Sequence, residues 1–381
     1  MPHTHTASAA PLGQLLQGGR IPGMDALRLM AVLAVMMGHA GLIEWGFGLQ
    51  VLLVFSGFLI TRMLMAEHAR TGDINVPQFV WHRATRLMPA LLAYTALGAI
   101  YLLVRGTPLP WQAMASVVAQ VHNYYQALTG AQTHYLSHVW SLSLQEQFYA
   151  LWPLFLLWIW RRGLRLEWAI AGYIACIWGT RAVECLVLHA PDEYLYRALE
   201  TRSDNLAVGG LLAVVLCNPE WTRTYDRLRR AGPVLVALCG AVLGLSVLHR
   251  SDSLVYKYVF SLALDPVLIA LAMPFVIMAA GTPSWLGRAL NARIVVAAGQ
   301  GSYGMYLSHQ ILMHGCIHML VRHHWWRWPA FIASAALVAW VGHLSFHYFE
   351  GPVRRALEAR TRHWFQPGQR SAARPLSRLA D

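Results

Sequence analysis

Charge is scarce in this chain. Only 13% of its 381 residues are Asp, Glu, Lys or Arg, about half of the roughly one quarter carried by soluble domains. Lysine is nearly absent, Lys257 standing beside 29 arginines. A soluble fold of this composition would have too little polar surface to cover its core. Cysteines are few as well: Cys176, Cys185, Cys217, Cys239 and Cys316 all fall inside apolar runs, which excludes a disulfide framework. No repeat of fixed period is present, and no pair of Gly/Pro-broken matching halves of the kind transporters show. The His pairs at helical spacing, His134/His138, His314/His318 and His343/His347, lack an HExxH pattern and an acidic third ligand, so no metal is expected. The net charge of +12 is distributed between apolar segments instead of forming one basic face, which argues against nucleic-acid binding.

What is present is apolar. The chain is 56% hydrophobic with a mean hydropathy of +0.41. Ten stretches approach the roughly 20 apolar residues a membrane span needs: 27–44, 47–66, 86–104, 147–160, 168–188, 205–217, 233–249, 255–280, 293–320 and 328–349. Pro266 and Pro274 are expected to kink or break the eighth. The chain therefore reads as an all-α polytopic membrane protein of about ten transmembrane helices. With the N-terminus placed in the cytoplasm, the cytoplasmic segments hold twenty basic residues and the opposite side seven, so both termini are expected to be cytoplasmic. "HHWWRW" (323–328) resembles an interfacial aromatic belt. The N-terminus lacks the layout of a signal peptide. The expected organisation is a loose tail over 1–20, a membrane domain over 21–353 and a basic tail over 354–381.

Polar groups inside spans are costly and mark candidate sites. "DALRLMAVLAVMMGHAG" (25–41) carries Arg28 and His39 eleven residues apart, three helical turns, on one stripe and about 16 Å apart along the axis. They cannot touch one reacting atom but can mark two ends of one path. Arg83 and Arg86 stand at i and i+3 and can point at one anion. Ser141, Gln145 and Glu146 lie in "WSLSLQEQFYALWP", Arg202 and Asp204 in "TRSDNLAVGG", and Tyr303, Tyr306 and His309 in "GSYGMYLSHQ". Tyr303, Tyr306 and His309 or Gln310 follow helical spacing and could face one cavity.

"IPGMDALRLMAVLAVMMGHAG", "VLLVFSGFLIT", "HRATRLMPA", "HVWSLSLQEQFYALWP", "RSDNLAVGGLLA", "GSYGMYLSHQIL" and "YFEGPVRR" resemble, in order, the blocks of the acyltransferase-3 membrane proteins. The resemblance covers roughly residues 20–355. It implies O-acyl transfer from cytoplasmic acyl-CoA, acetyl-CoA by default, to a hydroxyl of a carbohydrate or lipid-linked glycan at the outer face of a bacterial cytoplasmic membrane. Carried over position by position, His39 is the catalytic histidine, Arg28 the motif arginine, and Arg83 and Arg86 hold the CoA phosphates. Catalysis could run through His39 as general base or through an acyl-histidine. Ser141, Arg202, Asp204, Tyr303, Tyr306 and His309 are candidate substrate-binding residues.

Two departures stand out. Gln145 occupies the position of the family's Glu, with Glu146 next to it, and Gln50 stands where an Asp is common. Gln can neither carry a negative charge nor accept a proton. If that Glu charges or orients the histidine, Glu146 or Glu44 would have to replace it, or the protein is a non-catalytic member. A transporter or flippase of a polar lipid or glycan is the other reading. No hydrolase-like segment follows the last span, so the acceptor is expected to come to the membrane domain itself.

Overall fold

Apolar runs bounded by Gly, Asn and Pro become helices whose ends those residues fix. The computed structural model describes residues 10–17, 20–43, 47–131, 135–249, 253–322 and 327–365, without the side chains of 247 and 314–322. Glu44, His134, residues 323–326 of the proposed belt, both extreme termini and the side chains of His314, Cys316 and His318 thus lie outside the described residues. Every element within them is helical: α1 Leu12–Gln17, α2 Met24–His39, α3 Phe47–Thr71, α4 Val76–Val104, α5 Trp111–Val118, α6 His122–Thr129, α7 Trp140–Arg161, α8 Leu166–Leu186, α9 Asp192–Arg197, α10 Leu199–Arg202, α11 Asp204–Cys217, α12 Pro219–Arg227, α13 Gly232–Leu248, α14 Leu262–Ala280, α15 Trp285–Leu290, α16 Arg293–Gln300, α17 Ser302–Arg322, α18 Arg327–Leu344 and α19 Gly351–Thr361.

Six helical stretches are long and apolar enough to cross a membrane: Phe47–Thr71, Val76–Val104, Leu166–Leu186, Pro219–Ser246, Tyr256–Ala280 and Arg327–Phe365. Helices also stand at the other four predicted positions, as α2, α7, α11 and the pair α16–α17. The boundaries differ from the sequence reading for identifiable reasons. α2 stops at His39 because Gly41 turns the chain at φ 63°. α4 starts ten residues before the apolar run, where the Asn75 side chain accepts from the Gln78 N–H and Pro77 follows the cap. α7 begins at Trp140 and so takes in the polar residues Ser141–Gln147. The run 293–320 is two helices broken at Gly301, not one. The proline-bearing eighth run stays continuous, with a π-turn over Tyr256–Ser261 just ahead of Pro266.

Close crossings of small residues tie the bundle together. A Cβ on Gly57 of α3 would collide with the Leu206 carbonyl of α11, and one on Gly209 with the Val54 carbonyl of α3. Such backbone-to-backbone approach supplies dispersion contact where lipid removes the hydrophobic drive between helices. Arg181 of α8 and Asp204 of α11 form a fully buried ion pair at 3.0 Å. Trp178 Nε1 and Asn205 Nδ2 also donate to Asp204, and the Thr201 carbonyl accepts from Arg181.

Between α4 and α7 the described chain forms two short helices. α5 and α6 pack there around a fully buried His122, whose Nδ1 lies 2.7 Å from Ser116 Oγ and whose Nε2 lies 3.2 Å from the Leu136 carbonyl. The Tyr124 hydroxyl donates to Glu200 at 2.5 Å, tying α6 to α10. The described cysteines, Cys176, Cys185, Cys217 and Cys239, are all free thiols.

Candidate active site

α2 carries both ends of the candidate path. At its start Asp25 pairs with Arg28 at 3.4 Å and with Arg20. The Arg28 guanidinium lies over the Phe55 ring of α3, 4.7 Å from its centroid. Around it is a cavity of about 130 Å³ that brings Arg28 together with Arg83 and Arg86 of α4. Gln145, Ser141 and Tyr149 of α7 and Tyr303 and Tyr306 of α17 also line it. Arg83 is held between aromatic faces, 5.5 Å from the Tyr149 centroid and 5.7 Å from that of Phe79. A second, basic cavity of about 550 Å³ opens on the other side of Arg83 and Arg86, adding Arg70, His82 and Arg354. The five arginines of the two cavities outnumber the carboxylates there, Glu67 and Glu358 of the basic cavity, and their planar forks suit the phosphate oxygens of a polyanion.

The far end of α2 delivers His39 to a cluster of imidazoles. His39 Nδ1 lies 2.9 Å from Nε2 of His309 on α17, with the ring centroids 5.0 Å apart and the ring planes within 24° of parallel. The edge of His138 packs on His309 at 4.7 Å. His138 and His309 are buried, whereas the His39 ring is open to the cavities beside it. Among the described residues no group of three His, Cys, Asp or Glu is arranged to hold a metal. Tyr306 fixes the floor: its hydroxyl lies 2.6 Å from Ser141 Oγ and donates to the His138 carbonyl at 3.1 Å.

Two further cavities meet at His39. One of about 300 Å³ is lined by His39, Ser137, His138, Trp140, Tyr196 and Arg197. The other, of about 430 Å³, is lined by His39, His309, Gln310, Ser137, Tyr135, Tyr101 and Arg105. Neighbouring cavities share walls. Arg83 and Arg86 face both the basic cavity and the arginine chamber. Leu49 and Tyr306 face both that chamber and the first histidine cavity. His39 and Ser137 face both histidine cavities. A cluster of arginines and a cluster of histidines thus stand at opposite ends of one row of spaces.

The predicted residues divide between these spaces. Arg28, Arg83, Arg86, Gln145, Ser141, Tyr303 and Tyr306 line the arginine chamber, and His39 and His309 the histidine cavities. Tyr303, Tyr306 and His309 therefore do not share one cavity: the Tyr303 hydroxyl donates to the Leu87 carbonyl at 2.8 Å. Glu146 lines none of these spaces: its Oε1 is buried without a hydrogen bond, near Arg83 and Arg86. Arg202 is fully buried under the Tyr196 ring at 4.9 Å, and Asp204 is occupied by Arg181. Neither lines the row. Gln50 is fully buried in α3. Sequence reasoning passed over His138, Arg197 and Arg354. His138 opens the block "HVWSLSL", three residues before the Ser141 whose hydroxyl donates to the His138 carbonyl, and that spacing was the available signal.

Comparison with known proteins gives the same assignment. The Acyltransferase domain family, Acyl_transf_3, matches residues 21–344. The peptidoglycan O-acetyltransferase OatA of Listeria monocytogenes is 27% identical over 367 residues, covering 88% of this chain and 56% of the relative. The O-acetyltransferase OatA of Staphylococcus aureus is 25% identical over 369 residues, covering 88% of this chain and 57% of the relative. The chain thus spans about half the length of the curated relatives it matches. No solved structure matches it. With the Arg–His helix, the arginine chamber and the blocks that build them all falling inside the matched residues, the chain belongs to the acyltransferase-3 family.

Proposed function

We propose that this protein is a membrane O-acyltransferase that moves an acetyl group from acetyl-CoA at the cytoplasmic face to a carbohydrate hydroxyl at the outer face of a bacterial cytoplasmic membrane. The observation that carries this reading is the row of cavities from Arg83 and Arg86 to His39. Nucleotide phosphates sit at the basic end, and the pantetheine arm, an extended flexible chain, threads the arginine chamber towards His39. The acceptor enters the cavity of Tyr101, Tyr135 and Arg105, where aromatic faces suit the C–H faces of a sugar. The ten helical positions act as ten spans with both ends in the cytoplasm, in line with the bias of basic residues to that side. The names of the relatives favour a peptidoglycan-type glycan as acceptor.

Chemically, His39 takes the proton of the attacking hydroxyl as its oxygen bonds to the thioester carbon. Holding the thioester and the hydroxyl in adjoining cavities converts an encounter in solution into an oriented one. The test is loss of the acetyl group from acetyl-CoA by purified protein in nanodiscs, with an N-acetylglucosamine oligosaccharide as acceptor, wild type beside His39→Ala. Turnover lost in His39→Ala with acetyl-CoA binding retained supports the reading. Full activity in His39→Ala overturns the mechanism, and absence of acetyl-CoA binding to the wild type overturns the donor assignment.

A further inference from the structure

Nδ1 of His309 lies 2.6 Å from the carbonyl oxygen of Tyr306. A carbonyl can only accept, so this nitrogen carries the hydrogen and donates. In a neutral imidazole the other nitrogen then holds the lone pair. That other nitrogen, Nε2, faces His39 Nδ1 at 2.9 Å. Two lone pairs cannot bond, so His39 Nδ1 must be the donor, and the lone pair of His39 falls on Nε2. Three groups in sequence thus dictate one protonation pattern: the Tyr306 carbonyl, the His309 ring and the His39 ring.

We propose that His309 is a positioning residue that fixes the tautomer and orientation of His39, so that Nε2 of His39 is the atom that takes the acceptor's proton. In a serine–histidine–aspartate array a carboxylate holds the histidine in this tautomer. Here a neutral imidazole does so. No carboxylate lines either histidine cavity among the described residues. The titratable and charged groups facing the pair are His138 and Tyr306, with Tyr101, Tyr135, Tyr196, Arg105 and Arg197 across the two cavities. Burial divides the roles: the His309 side chain is fully buried although it borders the larger cavity, whereas the His39 ring is exposed and borders both cavities where substrates would sit.

The proposal rests on the reading of His39 as the site of transfer, and it completes the proton balance there. The acceptor O–H bond breaks, its proton going to His39 Nε2 as its oxygen bonds to the thioester carbon. The C–S bond then breaks with its electron pair on sulfur. Nε2–H returns the proton to the thiolate, leaving an ester, free CoA thiol and neutral His39. Throughout, the Nδ1 hydrogen of His39 stays donated to His309, which keeps the ring from turning as its charge changes.

The tautomer can be read directly, without donor or acceptor. Nitrogen NMR of histidine-labelled protein in nanodiscs distinguishes protonated from unprotonated ring nitrogens, and His39→Gln assigns the His39 signals by their loss. The expected result is protonated Nδ1 and bare Nε2 on His39 in the wild type. His309→Ala should shift His39 towards the Nε2–H form that histidine favours in water. His309→Gln, whose Oε1 can accept from Nδ1–H, should keep the wild-type pattern. In transfer assays His309→Ala should lower kcat at least about 100-fold, leave KM for acetyl-CoA within about twofold, and be largely rescued in His309→Gln. A wild-type His39 protonated on Nε2, or a pattern unchanged in His309→Ala, overturns the proposal. Should His309→Ala fail to fold, the wild-type and Gln spectra still decide it. The expected tautomer without acetyl-CoA turnover would leave this proposal standing while the donor reading fell.

Discussion

Gln145 and His39 sit in different chambers. Gln145 lines the arginine chamber with Arg28, Arg83 and Arg86, and the two cavities that meet at His39 are lined without it. The side chain at position 145 is thus placed among arginines and apart from the histidine. Gln145→Glu would set a carboxylate among three guanidiniums, where it competes with phosphate. The expected outcome is weaker acetyl-CoA binding, with KM raised about tenfold or more and kcat changed little. A rise in kcat on Gln145→Glu would mean that the wild-type glutamine disables the chemical step.

Arg86 faces both the basic cavity and the arginine chamber, and so does Arg83. A hydrogen bond to a charged partner contributes about 1.5–3 kcal/mol. Arg86→Ala should therefore weaken acetyl-CoA binding about 10- to 100-fold and flatten its salt dependence, as measured by direct titration at several ionic strengths. Arg83→Lys should rescue little, because Arg83 is stacked between the Phe79 and Tyr149 rings and an ammonium cannot reproduce that contact.

Asp204 was a candidate for substrate contact on sequence, yet it is buried against Arg181 with Trp178 and Asn205 completing its shell. Removing one partner of a buried ion pair strands the other charge. Asp204→Ala should cost about 3–5 kcal/mol, seen as a large drop in unfolding temperature in detergent. Adding Arg181→Leu should recover part of it. Unchanged stability with lost acceptor binding would return Asp204 to the substrate.

His122 gives the α5–α6 region a dependence on pH. Burial, with Arg197 nearby, pushes its imidazole down to about 4 from the ordinary 6.5. Between these values the unfolded chain takes up a proton that the folded region refuses, so stability is full above about pH 6.5 and falls as the pH drops towards 4. Hydrogen exchange over α5 and α6 should accelerate across that window. His122→Gln should remove the slope, and a slope that persists would assign it to another group.

Helix positions were legible because apolar runs in this chain are long and its arginines mark their ends. The Arg28–His39 stripe was legible because three helical turns nearly close a full rotation. The interruption at Gly301 was missed although Gly299, Gln300, Gly301 and Ser302 stand there, because the apolar residues on either side read as one run; Gly301 packs closely on the Gly342 backbone. The role of Asp204 was hidden for a related reason: a buried acid reads the same whether its partner is a sugar or Arg181. The imidazole cluster was out of reach as well. His39, His138 and His309 are far apart in the chain, and only the packing of α2 and α17 beside the turn before α7 brings them together.

The arginine chamber is the smallest of the four spaces that connect the two ends of the row, at about 130 Å³, and Leu49 and Tyr306 stand in the wall between it and the first histidine cavity. A hydrated ion would have to shed its water to pass such a wall, at a steep cost in free energy. Under the function proposed above, a neutral pantetheine arm sheds only the water on its amides and hydroxyls there, at a lower cost than an ion. A bundle of this shape would then deliver a group in one direction while its barrier to ions stays in place.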